Sequence, residues 1–372
     1  MLTCNSSLLD GINRHILTVA PALNRMEGFE TAVCTVHPVG ELNMELEKLG
    51  VRTYPLGFPN GHASGIFAVY RKVLKDFRPD VVHSHVMALN IRLVHSFTSA
   101  KSIPVVSTTH GIADTVAHPT LRSRLESILL RVSPINEAYH LYISRGVKEA
   151  IYKKSSIPSA VCYNPIDFSN APKPSNRLHE LLSLPPTVPV IGTACRIANQ
   201  KQPERFTEVM SLVLSMRKDV HACVMGDGDT AIIARCKAIV ENYGVADRFH
   251  WLGYRADAPR LVAELSCFIL TSAWEGMPTA ALECFAGRTP LAMLEGGGGL
   301  TDLMKINDAS GPVALISPAG NNKELAEKIA DIIDNPSKAM AMAENAFTVG
   351  QKYFDIGSVA RHLAEVYTSV IH

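Results

Sequence analysis

Glu275 and Glu283 are the two carboxylates of the stretch Thr271-Ser272-Ala273-Trp274-Glu275-Gly276-Met277-Pro278-Thr279-Ala280-Ala281-Leu282-Glu283. The apolar run Cys267-Phe268-Ile269-Leu270 before it reads as a short buried strand. Gly276 marks a sharp turn, and Pro278 sits where a helix would start. Ala280, Ala281, Leu282, Cys284 and Phe285 continue that helix against a sheet. Glu275 is then expected in the turn at the strand's C-terminal edge, and Glu283 about two turns into the helix. The first N–H groups of such a helix are free to meet an anion, phosphate above all. Two carboxylates beside an anion site suit one ligand that carries hydroxyls and phosphates together, a sugar nucleotide.

Cations that complete such a site occur upstream. Val188–Arg196 reads as a strand ending on Arg196, Lys201 follows in the loop, and Pro203 starts the next helix. Two cations at a strand's C-terminal lip are placed for a diphosphate, although the pair taken alone reads equally well as solvated surface charge. Earlier in the chain, Asp80-Val81-Val82-His83-Ser84-His85 ends in two histidines spaced to share a face. Val105–Thr109 puts His110 at the lip of the next strand, with Gly111 allowing close backbone approach. Three histidines near one crevice could ligate a metal, but no carboxylate is spaced to complete the usual set, so no metal is expected. His83 and His85 read as polar groups satisfying strand ends, and His110 as a donor facing a ligand. Gly11 opens a helix after a short strand and a polar loop, an anion-binding arrangement. Glu295-Gly296-Gly297-Gly298-Gly299 reads either as backbone lining a ligand or as a mobile lid.

These residues must be positioned by an α/β scaffold. Strands are expected at Thr31–Val36, Val51–Leu56, Asp80–His83, Pro104–Thr109, His140–Ser144 and Ala160–Tyr163. Helices are expected between them near 41–49, 64–77, 87–99, 120–132 and 145–153. Continuous Val/Ile-rich strands separated by helices mean parallel sheets covered on both faces, which bind ligands beyond the strands' C-terminal ends. The second half repeats the pattern, with strands at Val220–Met225, Arg248–Leu252, Leu291–Met293 and Val313–Ile316. It closes on helices near 321–334, 336–351 and 356–370. The 372 residues suit two domains, and the proline-bearing stretch 168–187 reads as their connection.

Composition narrows the class. A net charge of +1 and the lack of aromatic–basic interleaving argue against a nucleic-acid partner. Eight cysteines without a CxxC pair, several inside apolar runs, suit reduced buried thiols rather than disulfides or structural zinc. No apolar run is long enough to span a membrane, and the first residues lack a signal-peptide pattern, so a cytoplasmic location is expected. No strongly amphipathic basic helix argues for membrane docking.

Taken together, the strand ending on Arg196, Lys201, Gly226 and Gly228, Phe249–Gly253, and Glu275 with Glu283 resemble the retaining glycosyltransferases of family 4. The first half agrees: Gly11 opening a helix, Asp80–His85, Thr109-His110-Gly111 and Asn164–Asp167. The resemblance implies the GT-B fold, two Rossmann-like domains whose parallel sheets face a central cleft. It implies an acceptor-side domain at 1–167, a nucleotide-sugar domain at 168–352, and a terminal helix at 353–372 crossing back to the first domain. Arg196 and Lys201 would bind the diphosphate, Glu283 the ribose hydroxyls and Glu275 the hydroxyls of the transferred sugar. Gly276, Met277, Pro278 and Thr279 would hold sugar and phosphate through the backbone. The Gly11 amide would meet the phosphate, and His110, with Glu275 the catalytic candidate, would lie near the sugar.

The implied partners are a nucleotide-sugar donor, a UDP-sugar foremost, and a glycan or lipid-linked acceptor of polysaccharide or lipopolysaccharide assembly. No cofactor or metal is implied, and any contact at the inner face of the cytoplasmic membrane is peripheral. The alternatives are a sugar-nucleotide epimerase, an inverting GT-B transferase, and a catalytically weak nucleotide-sugar-binding protein. This chain departs from many relatives in having Asp10 before Gly11 where they carry two glycines, in Thr301-Asp302 where they often carry glutamate, and in its short first strand.

Overall fold

The computed structural model describes residues 1–8, 11–59, 65–85, 91, 95, 99–111, 135–151 and 156–371. Asp10 and nearly all of the helices expected near 87–99 and 120–132 lie outside the described residues. The chain divides into two compact units, Met1–Pro165 with Ile356–His372, and Ile166–Asp355.

In the first unit the strands are β1 (Leu2–Thr3), β2 (Ala32–Thr35), β3 (Arg52–Pro55), β4 (Val82–Ser84), β5 (Val105–Thr109), β6 (Glu137–Tyr142) and β7 (Ser159–Val161). They form one parallel sheet in the order β3-β2-β1-β4-β5-β6-β7. β1 has only two residues, yet it holds the sheet's centre, with Leu2 opposite Cys34 on one side and Ser84 on the other. Val19 and Leu23 of the Gly11–Asn24 helix pack with Val106, Leu141 and the apolar stripe Val359, Leu363, Val366 and Tyr367 of the Ile356–Ile371 helix. The stripe's helical spacing gives that last helix its buried face. Strand order reverses between β1 and β4, so the crevice beyond their C-terminal ends is where such a sheet receives a ligand.

In the second unit β8 (Val190–Ala194), β9 (His221–Met225), β10 (Phe249–Gly253), β11 (Cys267–Leu270), β13 (Leu291–Leu294) and β15 (Leu315–Ser317) form a parallel sheet ordered β10-β9-β8-β11-β13-β15. Between β11 and β15 the short strands β12 (Trp274–Glu275) and β14 (Gly297–Gly298) pair with each other in a separate two-stranded sheet. Phe206, Val209, Met210 and Val213 of the Pro203–Met216 helix cover one face of the main sheet, against Ile191, Val224 and Ile269. At the strands' N-terminal end the Arg248 guanidinium donates to the carbonyls of Arg217 (2.7 Å), Val220 (3.1 Å) and Leu214 (2.9 Å). Here the order reverses between β8 and β11, the two strands that lead to Arg196 and to Glu275.

Several expected boundaries move. β8 stops at Ala194 rather than Arg196, and the final strand starts at Leu315 rather than Val313. The helix expected to end near 351 continues to Phe354, where the extended backbone of Asp355 breaks it before Ile356.

Candidate functional site

Beyond the end of β8 the chain stays tied to the turn after β9. Cys195 N–H donates to Met225 O (3.1 Å), Ile197 N–H to Asp227 O (2.9 Å) and Asp229 N–H to Ile197 O (3.1 Å). The regular ladder ends at Ala194 because, once Cys195 has bonded Met225 at the end of β9, Ile197 bonds turn residues instead of strand residues. Glycine is required on the turn side: a Cβ at Gly226 would lie 1.8 Å from Cys195 O, and one at Gly228 would lie 2.2 Å from Ile197 O. Arg196 stands between the two tied residues, exposed. A tight turn, Asn199–Lys201, then leads into the Pro203–Met216 helix.

Lys201 meets Glu275 directly. Its Nζ lies 2.5 Å from Glu275 Oε1, and the Ser272 hydroxyl donates to the same oxygen at 2.6 Å. Glu275 is 7% exposed, so its charge is compensated at close range rather than by water. The backbones are stitched together as well. Thr271 Oγ1 donates to Lys201 O (3.1 Å), Ala273 N–H to Gln200 O (2.9 Å) and Gln200 Nε2 to Trp274 O (3.0 Å). Ser272, Thr271 and Gln200 were not singled out in the sequence; Ser272, three residues before Glu275, is the one whose spacing hinted at a local partner. The nearby Cys195 thiol is pushed up to about 11 by burial, with the Lys201 ammonium pulling the other way, so it stays protonated and weakly nucleophilic at neutral pH.

Glu275 lies in β12 rather than in a turn. Its strand pairs with β14, Trp274 opposite Gly297 and Glu275 opposite Gly298. This pairing accounts for the glycine run: a Cβ at Gly298 (φ +67) would lie 2.0 Å from Glu275 O, and one at Gly299 would lie 2.5 Å from Gly276 O. The Gly299–Ser310 helix therefore begins flush against Gly276 and Met277, next to the start of the Thr279–Gly287 helix. Pro278 is the residue capping that second helix, and Met277 and Pro278 are buried while Gly276 and Thr279 are half-buried. The leading N–H groups of a helix lack intrahelical acceptors. Glu283 is the fifth residue of the helix, so it sits just over one turn in, not two, because helical geometry starts at Thr279. It is half-buried, and its charge helps raise the buried Cys284 thiol.

In the first unit, Asn13 of the Gly11–Asn24 helix is fully buried and organises the loop after β1. Its Nδ2 donates to Ser7 O (2.9 Å) and to Asn5, and its Oδ1 accepts from Thr3 Oγ1 (2.9 Å). Gly11 is exposed, and an added Cβ there would meet nothing within 4 Å, so local packing does not demand glycine.

Past β4 and β5 lies a cluster of imidazoles. His85 Nδ1 and His110 Nε2 are 2.8 Å apart, and His83 bonds Tyr367 Oη through Nδ1 and Thr108 Oγ1 (2.6 Å) through Nε2. His15, from the first helix, joins with its ring centroid 5.2 Å from that of His110 and its Nδ1 3.0 Å from Asn164 Oδ1. Burial lowers His15 to about 4, and burial with mutual repulsion holds His83, His85 and His110 well below the ordinary imidazole range. All are neutral at pH 7. His15 was not singled out; its place on the Ile12, Ile16, Val19 face of the helix was the available signal. Among the described residues no group of three or more His, Cys, Asp or Glu is arranged to hold a metal ion.

Two family models tile the chain. The family 4 glycosyltransferase model matches residues 9–170, and the group 1 glycosyl transferase model matches residues 176–349. A Rhizobium meliloti lipopolysaccharide core biosynthesis mannosyltransferase, LpsB, is 26% identical over 220 residues, 58% of this chain and 62% of that protein. A Streptomyces kanamyceticus 2-deoxystreptamine glucosyltransferase is 29% identical over 189 residues, 50% of this chain and 46% of its own. These matches thus span about half to three-fifths of the curated relatives' lengths. Among solved structures, Anabaena HepE in complex with UDP and glucose superposes with a TM-score of 0.79 at 20% identity, over 99% of both chains. WaaG, a glycosyltransferase involved in lipopolysaccharide biosynthesis, superposes at 0.70 and 15% identity, again over 99% of both.

Proposed function

We propose, from the premise that this chain belongs to the family 4-type glycosyltransferases, that it moves a sugar from a UDP-sugar to a glycan or lipid-linked acceptor, with retention of anomeric configuration and without a metal. The observation that carries this reading is the cluster at the β8/β11 reversal: Arg196 exposed, Lys201 paired with Glu275, and two helix starts beside Gly276. It joins cations and amide donors for a diphosphate to a buried carboxylate for sugar hydroxyls. The UDP and glucose bound to HepE and the lipopolysaccharide role in LpsB's name support the choice of donor and acceptor class.

In the reaction, the bond from the anomeric carbon to the diphosphate oxygen breaks. Positive charge grows on the sugar ring, as in glycoside hydrolysis, and negative charge on the departing phosphate. Arg196, Lys201 and the helix N–H groups stabilise the latter from fixed positions. Glu283 accepts from the ribose hydroxyls, and Glu275 holds the transferred sugar while compensating Lys201. By the family resemblance, His110 is assigned as a donor to the sugar and Gly11 as a backbone contact to phosphate. An acceptor hydroxyl oxygen forms the new bond on the face the diphosphate left, and the hydroxyl proton goes to the departing diphosphate. The acceptor is reached in the cytoplasm or peripherally at the membrane; among the described residues no helix is long and apolar enough to cross a membrane.

Release of UDP from UDP-sugars in the presence of lipopolysaccharide-type acceptors tests this reading, with the linkage assigned by NMR. Arg196→Ala is expected to lower turnover about 10²–10³-fold with the fold intact, and EDTA to leave activity unchanged. Near wild-type turnover in Arg196→Ala, or full loss in EDTA reversed by one metal, overturns it.

A further inference from the structure

We infer that His85 is a positioning residue for His110: His85 Nδ1–H donates to His110 Nε2, which places the His110 proton on Nδ1 and makes that nitrogen an N–H donor. The inference rests on the proposed role of His110 at the sugar and specifies the form of the ring that performs it.

The argument is one of hydrogen-bond satisfaction. At 2.8 Å, His85 Nδ1 and His110 Nε2 share one proton, and either ring could carry it. If His110 donated, neutral His85 would carry its own proton on Nε2. That atom is buried and has no hydrogen-bond partner among the described residues, so an N–H would be left there without an acceptor. If His85 donates, Nε2 is a bare lone pair. Orphaned buried N–H groups are rarer in folded proteins than under-used acceptors, so the second arrangement wins.

His85 cannot escape by turning. It is 4% exposed, and its ring lies between His83 (centroids 4.1 Å apart) and His15 (5.3 Å). The neighbours do not compete for the shared proton, since His83 is engaged by Tyr367 and Thr108 and His15 by Asn164. With His110 Nε2 taken up as the acceptor of this pair, Nδ1 is the nitrogen left to donate to a ligand. Second-layer groups that fix a ring's tautomer act in this way on metal-bound histidines; here the ring they fix would face a sugar hydroxyl.

The test is long-range 1H–15N correlation NMR on the full chain labelled at histidine, with the His110 signals identified by their loss in His110→Gln. A protonated Nδ1 and bare Nε2 on His110 are expected, changing to the other form or to an exchanging mixture in His85→Ala. His110 protonated on Nε2 in the wild type, or a tautomer unchanged in His85→Ala, overturns the inference. In transfer assays His85→Ala should lower kcat about 10–100-fold with KM for the donor nearly unchanged. His85→Asn, whose amide nitrogen falls near the place of Nδ1, should recover most of the loss, whereas His85→Gln, which reaches toward Nε2, should not. Equal turnover in Ala, Gln and wild type overturns the role. The two readings fail separately: full activity in His110→Ala removes the sugar role of His110 but leaves the tautomer standing, and a wrong tautomer removes this inference alone.

Discussion

Lys201 and Glu275 make opposite predictions for nucleotide binding, although they form one ion pair. The pair is 2.5 Å apart, with side chains 23% and 9% exposed. At an effective dielectric of about 20 the gross attraction is about 7 kcal/mol, most of it offset by desolvation. Lys201→Ala leaves Glu275 buried with the Ser272 hydroxyl as its remaining close partner. Breaking a buried pair this way costs about 3–5 kcal/mol, and the low end applies because Ser272 remains. For a unit of this size each kcal/mol shifts Tm by about 2–4 °C, so Tm falls by about 6–12 °C. Glu275→Gln keeps the shape and the Ser272 contact while removing the negative charge.

For binding, Lys201→Ala removes a charge-assisted contact to phosphate of about 1.5–3 kcal/mol, which weakens the free nucleoside diphosphate about 10–150-fold. Glu275→Gln releases Lys201 from a competing anion, so UDP binds as tightly as to the wild type or tighter, while sugar transfer falls. The assay is isothermal titration with UDP, followed by UDP-release kinetics, on both variants and the double variant. Glu275→Gln weakening UDP as much as Lys201→Ala does would refute the division of labour between diphosphate and sugar. An unchanged UDP affinity in Lys201→Ala would refute the placement of the diphosphate.

Three further outcomes follow from the packing. Gly298→Ala forces a side chain at φ +67 into a place 2.0 Å from Glu275 O, and should cost about 2–3 kcal/mol and most of the transfer activity; by contrast Gly11→Ala, where a Cβ meets nothing, should hold Tm while lowering transfer, and thermal melts of both variants check the pair. Arg248→Met orphans the carbonyls of Leu214, Arg217 and Val220 at the end of the strands remote from Arg196, and should lower stability by about 3–5 kcal/mol with UDP affinity per folded molecule unchanged by titration. His15 is neutral when folded and has its folded value lowered to about 4 by burial, so the unfolded chain binds the proton first. Stability is then full above about pH 6.5 and falls as pH drops toward 4, by roughly 3 kcal/mol for this ring alone. His83, His85 and His110 act in the same direction, and melting curves from pH 7.5 to 4.5 should show a slope that His15→Gln reduces.

Most of the architecture was legible because its determinants are local. Val/Ile runs announced the strands, and helical stripes such as Val359, Leu363 and Val366 announced the last helix. The register at each end was less legible, because a parallel strand ends where its neighbour's bonds end. β8 stops at Ala194 because Cys195 takes the last carbonyl of β9, Met225 O, and Ile197 bonds the turn beyond it. Glu283 sits a turn shallower than expected for a related reason: Gly276 and Met277 pack against Gly299, and helical geometry begins only past Pro278, which caps the helix.

The site divides in the same way. Arg196, Lys201, Glu275, Glu283, His110 and Gly11 stood out by residue type beside a strand end or helix start, and that required no knowledge of their neighbours. What their side chains touch is a property of strand order. Lys201 reaches Glu275 across 74 residues because β8 and β11 lie side by side at the reversal of the second sheet, and His85 reaches His110 because β4 and β5 do so in the first. In a parallel sheet every C-terminal lip is on one edge, so residues following neighbouring strands meet whatever the length of helix between them. The reversal then selects which lips form a crevice instead of being capped by the next connection. A carboxylate five residues after one strand's end and a lysine seven residues after another's are unremarkable in sequence; strand adjacency turns them into a charge-compensated pair whose lysine becomes available to a second anion when the carboxylate is neutralised, which is the behaviour that titration of Glu275→Gln measures.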